Sequence, residues 1–289
     1  MRGLPASAAS LLLAFADGTS GAGVNVYDAL READDASASK SASVVESLTQ
    51  KGHSKFGAFR VPSEKCEALR TLVLRTIDES GDEPALDPAT FGAIKAPHLR
   101  WDVKLRCDDV TRSVLNPVVE RLIAELTPVL TARAELFELS CVVSAPGAKQ
   151  QPLHSDTQAS RGGDEVALVL TTFVALQDVT LAMGPTTFYS GMHAPCAARS
   201  TYFDSASSTE QKLEVLRSRA KQSMTLSQGE MVVMDSRLLH GGGANRSALR
   251  RALLCVSFVA AGLPLPRGST HSLRDELKTR RLTLDAFPV

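Results

Sequence analysis

An excess of either charge is missing from this sequence, with Lys and Arg numbering 32 together and Asp and Glu also 32. A basic field that would hold nucleic acid is therefore not expected. Long apolar runs are missing as well. None reaches the roughly 18 residues that a membrane-crossing helix needs, so no membrane span is expected. The five cysteines, Cys66, Cys107, Cys141, Cys196 and Cys255, are odd in number and none stands in a CxxC pair. That argues against a disulfide framework and a thiolate zinc site, and it fits a reducing, cytoplasmic compartment. No repeat of fixed period is found, which argues against a solenoid. Only six histidines occur, thinly spread, so any metal site has to be assembled from distant segments.

What is present is an ordinary globular balance, 44% hydrophobic and 22% charged over 289 residues, enough to bury one substantial core. Residues 1–50 are rich in Ala, Ser, Asp and Gly and read as an N-terminal extension, poorly ordered or loosely helical, with one helix around 41–50. The stretch MRGLPASAASLLLAFAD also has the outline of a weak targeting peptide. Its single Arg and short apolar run favour a plain extension. A single domain is expected over 51–289, with ordered structure beginning near Phe56.

Ser63 is expected to cap a helix that buries Leu69, Leu72, Val73, Thr76 and Ile77. In LRWDVKLRC, Leu99, Trp101, Val103 and Leu105 alternate with Arg100, Asp102, Lys104 and Arg106, a strand with one apolar and one charged face. The charged face either meets solvent, the commoner case, or lines a polar cavity. Asn116-Pro117 reads as the start of a second helix that ends or kinks at Pro128. From Glu135 onward short β-rich runs follow one another between turn residues, broken by one clear helix near 209–220. A short surface helix is expected in HSLRDELKTRR. Mainly β structure with flanking helices, in a jelly roll with its core over roughly 95–262, fits this pattern.

The chemistry gathers in three places. In QPLHSDTQ, His154 and Asp156 are two residues apart and share a face of a strand. An imidazole and a carboxylate make two thirds of a facial metal triad with open positions. In MVVMDSRLLHGGGAN, His240 stands before three glycines, which let the backbone turn tightly and leave room for a ligand. Alone, it reads equally as a structural histidine at a strand end. Eleven positions later comes Arg251, opening the apolar strand RALLCVSF. A buried guanidinium calls for a carboxylate, and its planar fork suits two-point binding. Arg250 competes for that role, since only one of the adjacent pair can face inward.

QPLHSDTQ, then MGPTTFYSGMH, then QGEMVVMDSRLLHGGGANRSALRRAL, resemble the phytanoyl-CoA dioxygenase family in order and spacing. The resemblance implies a double-stranded β-helix (a cupin-like jelly roll) using Fe(II), 2-oxoglutarate and O2. It matches His154, Asp156 and His240 to the metal ligands and catalytic centre, and Arg251 to the arginine that pairs the distal carboxylate of 2-oxoglutarate. Thr186, in Gly184-Pro185-Thr186, and Lys104 fall in regions that approach this co-substrate. His193 is expected to be structural or to orient the ligands, and Asn245 to hold the turn before the arginine strand. The implied reaction yields succinate, carbon dioxide and an oxidised small-molecule substrate. Relatives that halogenate lack the carboxylate present here as Asp156, which favours hydroxylation. A catalytically inactive jelly-roll binding protein and a zinc hydrolase on the same three ligands remain the alternatives. Substrate selectivity is expected in loops 81–98, 157–165 and 194–222.

Overall fold

The computed structural model of this chain describes residues 43–80, 87–157, 166–266, 269 and 271–287. The extension before Ser43, the targeting reading, and parts of two expected selectivity loops (81–86 and 158–165) lie outside the described residues.

Order begins earlier than Phe56. Helix α1 (Val44–Lys51) is capped by Ser43, whose hydroxyl accepts from Glu46 N at 3.1 Å. It ends at Gly52, whose φ of 79° supplies the left-handed turn. Leu48 on this helix is fully buried in the main core, so a boundary at residue 51 would cut through a packed element. A short strand, β1 (His53–Lys55), follows directly.

Helix α2 (Ser63–Glu79) buries Cys66, Leu69, Val73 and Ile77, close to the expected stripe. The cap is Pro62, not Ser63, which sits in the first turn. Strand β2 (Arg100–Lys104) precedes helix α3 (Asp109–Leu130). That helix starts before Asn116: Asp108 caps it, accepting from Thr111 N at 2.9 Å. Val114 and Leu115, both fully buried, reward helix on the N-terminal side of Pro117, and a proline deletes only one backbone donor. Pro128 likewise lies inside the helix, two residues short of its end.

The remaining strands are β3 (Glu135–Ser144), β4 (Val169–Ala175), β5 (Thr186–Tyr189), β6 (Lys221–Ser223), β7 (Met231–Asp235), β8 (His240–Gly242) and β9 (Arg251–Val259). Helices α4 (Ala197–Phe203) and α5 (Thr209–Arg217) stand between β5 and β6, and α6 (Asp275–Lys278) follows β9. Of these, α4, β1 and β6 were not anticipated. The strands form a six-stranded sheet, β1-β7-β4-β9-β3-β2, and a three-stranded sheet, β6-β5-β8, with antiparallel pairing throughout. Two antiparallel sheets flanked by helices are the jelly roll expected from the sequence. Among the described residues no helix is long and apolar enough to cross a membrane.

The period-two alternation of the large sheet divides its residues cleanly. On β9, Ala252, Leu254, Val256 and Phe258 join the core beneath α1, α2 and α3. Leu253 and Cys255 face the other way and pack with Phe188, Leu238 and Leu239 of the small-sheet side. β2 obeys the same rule, but against the solvent expectation. Its charged face is buried, with Arg100, Asp102 and Lys104 at 1%, 5% and 9% exposure, while Trp101 and Val103 pack toward the helices. The helical layer covers the apolar side, so the charges point into the barrel.

Candidate active site

Two side chains from far apart in the sequence are locked together by backbone. His154 N donates to His240 O at 2.9 Å, and His240 N donates to His154 O at 2.8 Å. This reciprocal pair brings the imidazole centroids to 4.5 Å. His154 makes only this isolated bridge, so QPLHSDTQ is not the strand that the sequence suggested. Asp156 reaches the same side by another route: its N–H and that of Thr157 both donate to Ser236 O, at 2.9 and 3.1 Å.

The result is a compact donor set. His154 Nε2 stands 3.4 Å from Asp156 Oδ1, and His240 Nε2 stands 3.6 Å from Asp156 Oδ2. The three ligand atoms lie within 4.8 Å of one another. Each imidazole donates its Nδ1–H to a backbone carbonyl, His154 to Pro152 at 2.8 Å and His240 to Leu238 at 2.9 Å. That fixes the tautomer and turns both Nε2 lone pairs toward the carboxylate. Lone pairs facing an anion repel unless a cation sits between them, so the residues present fit a divalent metal held by two His and one Asp. Burial lowers the His240 pKa below the usual histidine range, keeping it in the neutral form that ligates.

The turn that delivers His240 is firmly held. Asp235, fully buried, takes a forked ion pair from Arg237, with Nε to Oδ1 at 2.9 Å and an Nη to Oδ2 at 2.6 Å. Arg199 of α4 donates to Arg237 O and Met192 O, tying the segment after β5 beneath that turn. Ser155, pointing away from the triad, donates to Arg237 O at 2.8 Å. Arg199, read from sequence as facing water or a polar substrate, is buried instead, and the Asp235–Arg237 fork was not singled out. An Asp two residues before an Arg at the end of the apolar run MVVM is the signal that was available.

A cavity of about 520 Å³ contains the triad, with Thr186 and Arg251 in its wall. Arg251 is 1% exposed and donates to Gly184 O and, at 3.1 Å, to Ser144 Oγ. Its Nε has no hydrogen-bond partner. Arg100 donates through Nε to the same Ser144 hydroxyl at 3.1 Å and leaves one Nη without a partner. Burial, with Arg100 beside it, pulls the Arg251 pKa down to about 10. Two buried guanidiniums with donors to spare, and no carboxylate paired to either among the described residues, make an anion site. Arg250 is elsewhere, bound to Asp78 at 2.6 Å on the outside.

Glycines make the room. Gly184, at φ 67°, packs so tightly on the Gly243–Ala244 backbone that a Cβ there would lie 2.4 Å from Ala244 O. A Cβ on Gly242 would press on Gln151 Oε1 at 2.6 Å and approach Arg251. Thr186 pairs in register with Gly242, which sets it beside the same anion site.

Other expected residues go elsewhere. Lys104 is not in the cavity wall; its Nζ donates to Pro88 O at 2.6 Å. His193, buried, lies at Thr49 O of α1, 3.2 Å from Nε2, and is not among the clustered metal-ligand atoms. Asn245 holds its turn, donating to Ser144 O and Leu249 O at 2.9 and 2.8 Å and accepting from Ser247 N at 3.0 Å. Of the selectivity loops, Ala93, Ile94, Lys95 and Thr157 reach the cavity, whereas no residue of 194–222 lines it.

The phytanoyl-CoA dioxygenase family model matches residues 46–253. No curated protein matches the chain in sequence. Among solved structures, the non-heme alpha-ketoglutarate-dependent carbocyclase SnoK from nogalamycin biosynthesis aligns with a TM-score of 0.57 at 16% identity, covering 82% of this chain and 89% of that one. AviO1 from Streptomyces viridochromogenes Tue57 aligns at 0.53 and 17% identity, covering 77% and 96%. The epimerase SnoN, also from nogalamycin biosynthesis and alpha-ketoglutarate-dependent, aligns at 0.51 and 16% identity, covering 77% and 84%. At these identities the likeness is one of fold.

Proposed function

The chain belongs to the phytanoyl-CoA dioxygenase family, oxygenases that use Fe(II), 2-oxoglutarate and dioxygen, and from that premise we propose how its own residues divide the work. His154, Asp156 and His240 hold the iron. Arg251 takes the far carboxylate of 2-oxoglutarate, with Thr186 beside it. The reaction hydroxylates a small organic molecule and releases succinate and carbon dioxide, within one catalytic domain that includes α1.

One observation carries this reading. Two Nε2 lone pairs and a carboxylate converge within 4.8 Å in the same cavity as a buried arginine that has an unused donor. When bound, the iron supplies the activation of dioxygen, which no side chain can perform. The protein's contribution is positional. The carbonyls of Pro152 and Leu238 hold the two imidazoles in their ligating tautomer. Arg251, fixed by Gly184 and Ser144, offers its remaining donors to a carboxylate that enters the cavity. Ser144 sits between Arg251 and Arg100 and keeps both guanidiniums aligned while the second charge strengthens the anion site. Asp156 would supply the carboxylate ligand that halogenating relatives lack, so hydroxylation is the outcome proposed. Lys104 has no part in this arrangement, because it lies outside the cavity wall.

The test is an anaerobic titration with Fe(II) and 2-oxoglutarate, followed by admission of oxygen. A visible charge-transfer band that needs both ligands, then oxygen-dependent succinate, is expected. Full succinate formation by an Asp156→Ala variant would remove the proposed ligand set.

A further inference from the structure

The cavity holds a second group of ionisable side chains that iron and 2-oxoglutarate do not use. Asp102 of β2 and Glu138 of β3 both line it. Asp102 is 5% exposed; its Oδ2 accepts from Ser272 Oγ at 2.5 Å, while its Oδ1 is buried without a hydrogen-bond partner. Ser140 lies between the two acids and has one proton to give; it donates to Glu138 Oε1 at 3.1 Å. Glu138 Oε2 accepts from Ser257 Oγ at 2.5 Å. Among the described residues neither acid forms an ion pair, and the Lys104 amine on the same face of β2 goes to Pro88 O.

Register separates Glu138 from the anion site and sets Asp102 between the two: Asp102 pairs with Val142, which pairs with Leu253, two residues from Arg251. On β3 and β9, Ser144 pairs with Arg251 and Glu138 pairs with Ser257. Six residue steps along the strand from Arg251 to Ser257 span about 20 Å. A small diacid anchored at Arg251 does not extend that far. Thr171 links Ser257 to Ser236 through contacts of 2.9 and 3.0 Å, and Ser236 O holds the backbone N–H of Asp156. Glu138 thus lies along the row of hydroxyls that leads to the iron ligand, at the end of the cavity away from Arg251, and Asp102 lies part of the way back toward Arg251.

Two buried carboxyl groups that share donors and lack a cation are costly to keep. We propose that Asp102 and Glu138 are the substrate-recognition subsite of this cavity, and that they receive an organic cation, a protonated amine or a guanidinium. An ammonium has three donors and a guanidinium five, enough to satisfy Asp102 Oδ1 together with Glu138. The cation would be held between Asp102 and Glu138, farther along the sheet than the carboxylate at Arg251, with its carbon skeleton reaching toward the triad. This inference rests on the oxygenase reading for the word substrate, but the site itself does not.

Equilibrium dialysis under anaerobic conditions, on protein loaded with Fe(II) and 2-oxoglutarate, tests it. The probes are labelled 1,5-diaminopentane, butylguanidinium and the neutral 1,5-pentanediol. At least one cation is expected to bind tenfold or more tightly than the diol, and to lose that advantage in the Asp102→Asn/Glu138→Gln double variant. Circular dichroism and 2-oxoglutarate binding report whether the variant is folded. The inference is overturned if neither cation outbinds the diol in the wild-type protein, a comparison that needs no variant, or if the folded variant keeps the preference. The charge-transfer band is read in the same samples. The band without cation preference removes the subsite and leaves the oxygenase reading intact. Cation preference without the band does the reverse.

Discussion

Arg251 shows how a single side chain acquires a function through what surrounds it. It is buried, held by Gly184 and Ser144, crowded by Arg100, and still has a donor to offer. Arg251→Ala is therefore expected to weaken 2-oxoglutarate by roughly 30-fold or more, the effect of removing one partner of a buried charged pair, about 2 kcal/mol at least. Fe(II) affinity should change little, because the three metal ligands do not touch this arginine. Paired titrations of the two ligands check the split. Glu138 gives a second prediction at this scale. Burial first, then the neighbouring Asp102, raises its pKa from 4.5 to about 8, with Asp156 adding to the effect; Ser140, Ser257, Thr171 and Cys255 are the other groups along its row. An acid whose folded pKa is raised holds its proton more tightly when folded. Its contribution is complete below about pH 4.5 and is lost as pH rises toward 8. Glu138→Gln should remove that loss, so the variant gains on the wild type by at most about 1.4 kcal/mol per pH unit across this window. Urea midpoints at pH 5, 6.5 and 8 measure it. A constant difference would mean that Glu138 is ionised throughout.

Elements are decided by packing as much as by local signals. Helix α3 begins at Asp109 with Asp108 as its cap, although Asn116-Pro117 is the stronger local start signal. Asp108→Ala should thus cost about 1 kcal/mol, while Asn116→Ala, inside the helix, should lose no cap energy. Equal losses in chemical denaturation would argue for the later start. Helix α1 is short, yet Leu48 is wholly buried among residues of the main core. Leu48→Ala is expected to cost about 2–5 kcal/mol, the range for a leucine truncated in a core. A loss below about 0.5 kcal/mol would detach α1 from the folded unit. The strands illustrate the opposite case. The alternation in β2 was legible from side chains alone, because a strand must alternate.

At the scale of the molecule, the jelly roll serves as a frame whose outer face is stabilised by helices and whose inner face is left for charge. The large sheet buries apolar residues against α1, α2 and α3 on one side. On the other it presents Arg100, Asp102, Glu138 and Arg251 to the interior, joined to apolar residues of the small-sheet side. Such an interior is expensive without its ligands. Adding Fe(II) and 2-oxoglutarate together should raise the melting temperature, increasingly with concentration above the dissociation constants, and a chelator should reverse the rise. In His240→Ala the iron-dependent part of the rise should vanish. A ligand-induced rise that persists in that variant would place the binding elsewhere.

The residue types and their order were readable from the chain: a His-x-Asp, a later His before three glycines, and an arginine eleven positions beyond. Alternation also showed that β2 has a charged face. What the chain could not say is which way that face turns. That depends on the helices covering the other side, a contact between segments far apart in sequence. The choice between Arg250 and Arg251 has the same origin, since it turns on the strand's register against Ser144. The joining of His154 to His240 by reciprocal backbone bonds, and the meeting of Asp102 with Glu138 around one serine, likewise have no local signal. Periodicity is a property of neighbours along the chain. Direction, register and the company a buried charge keeps belong to neighbours in space, and only tertiary structure brings those together.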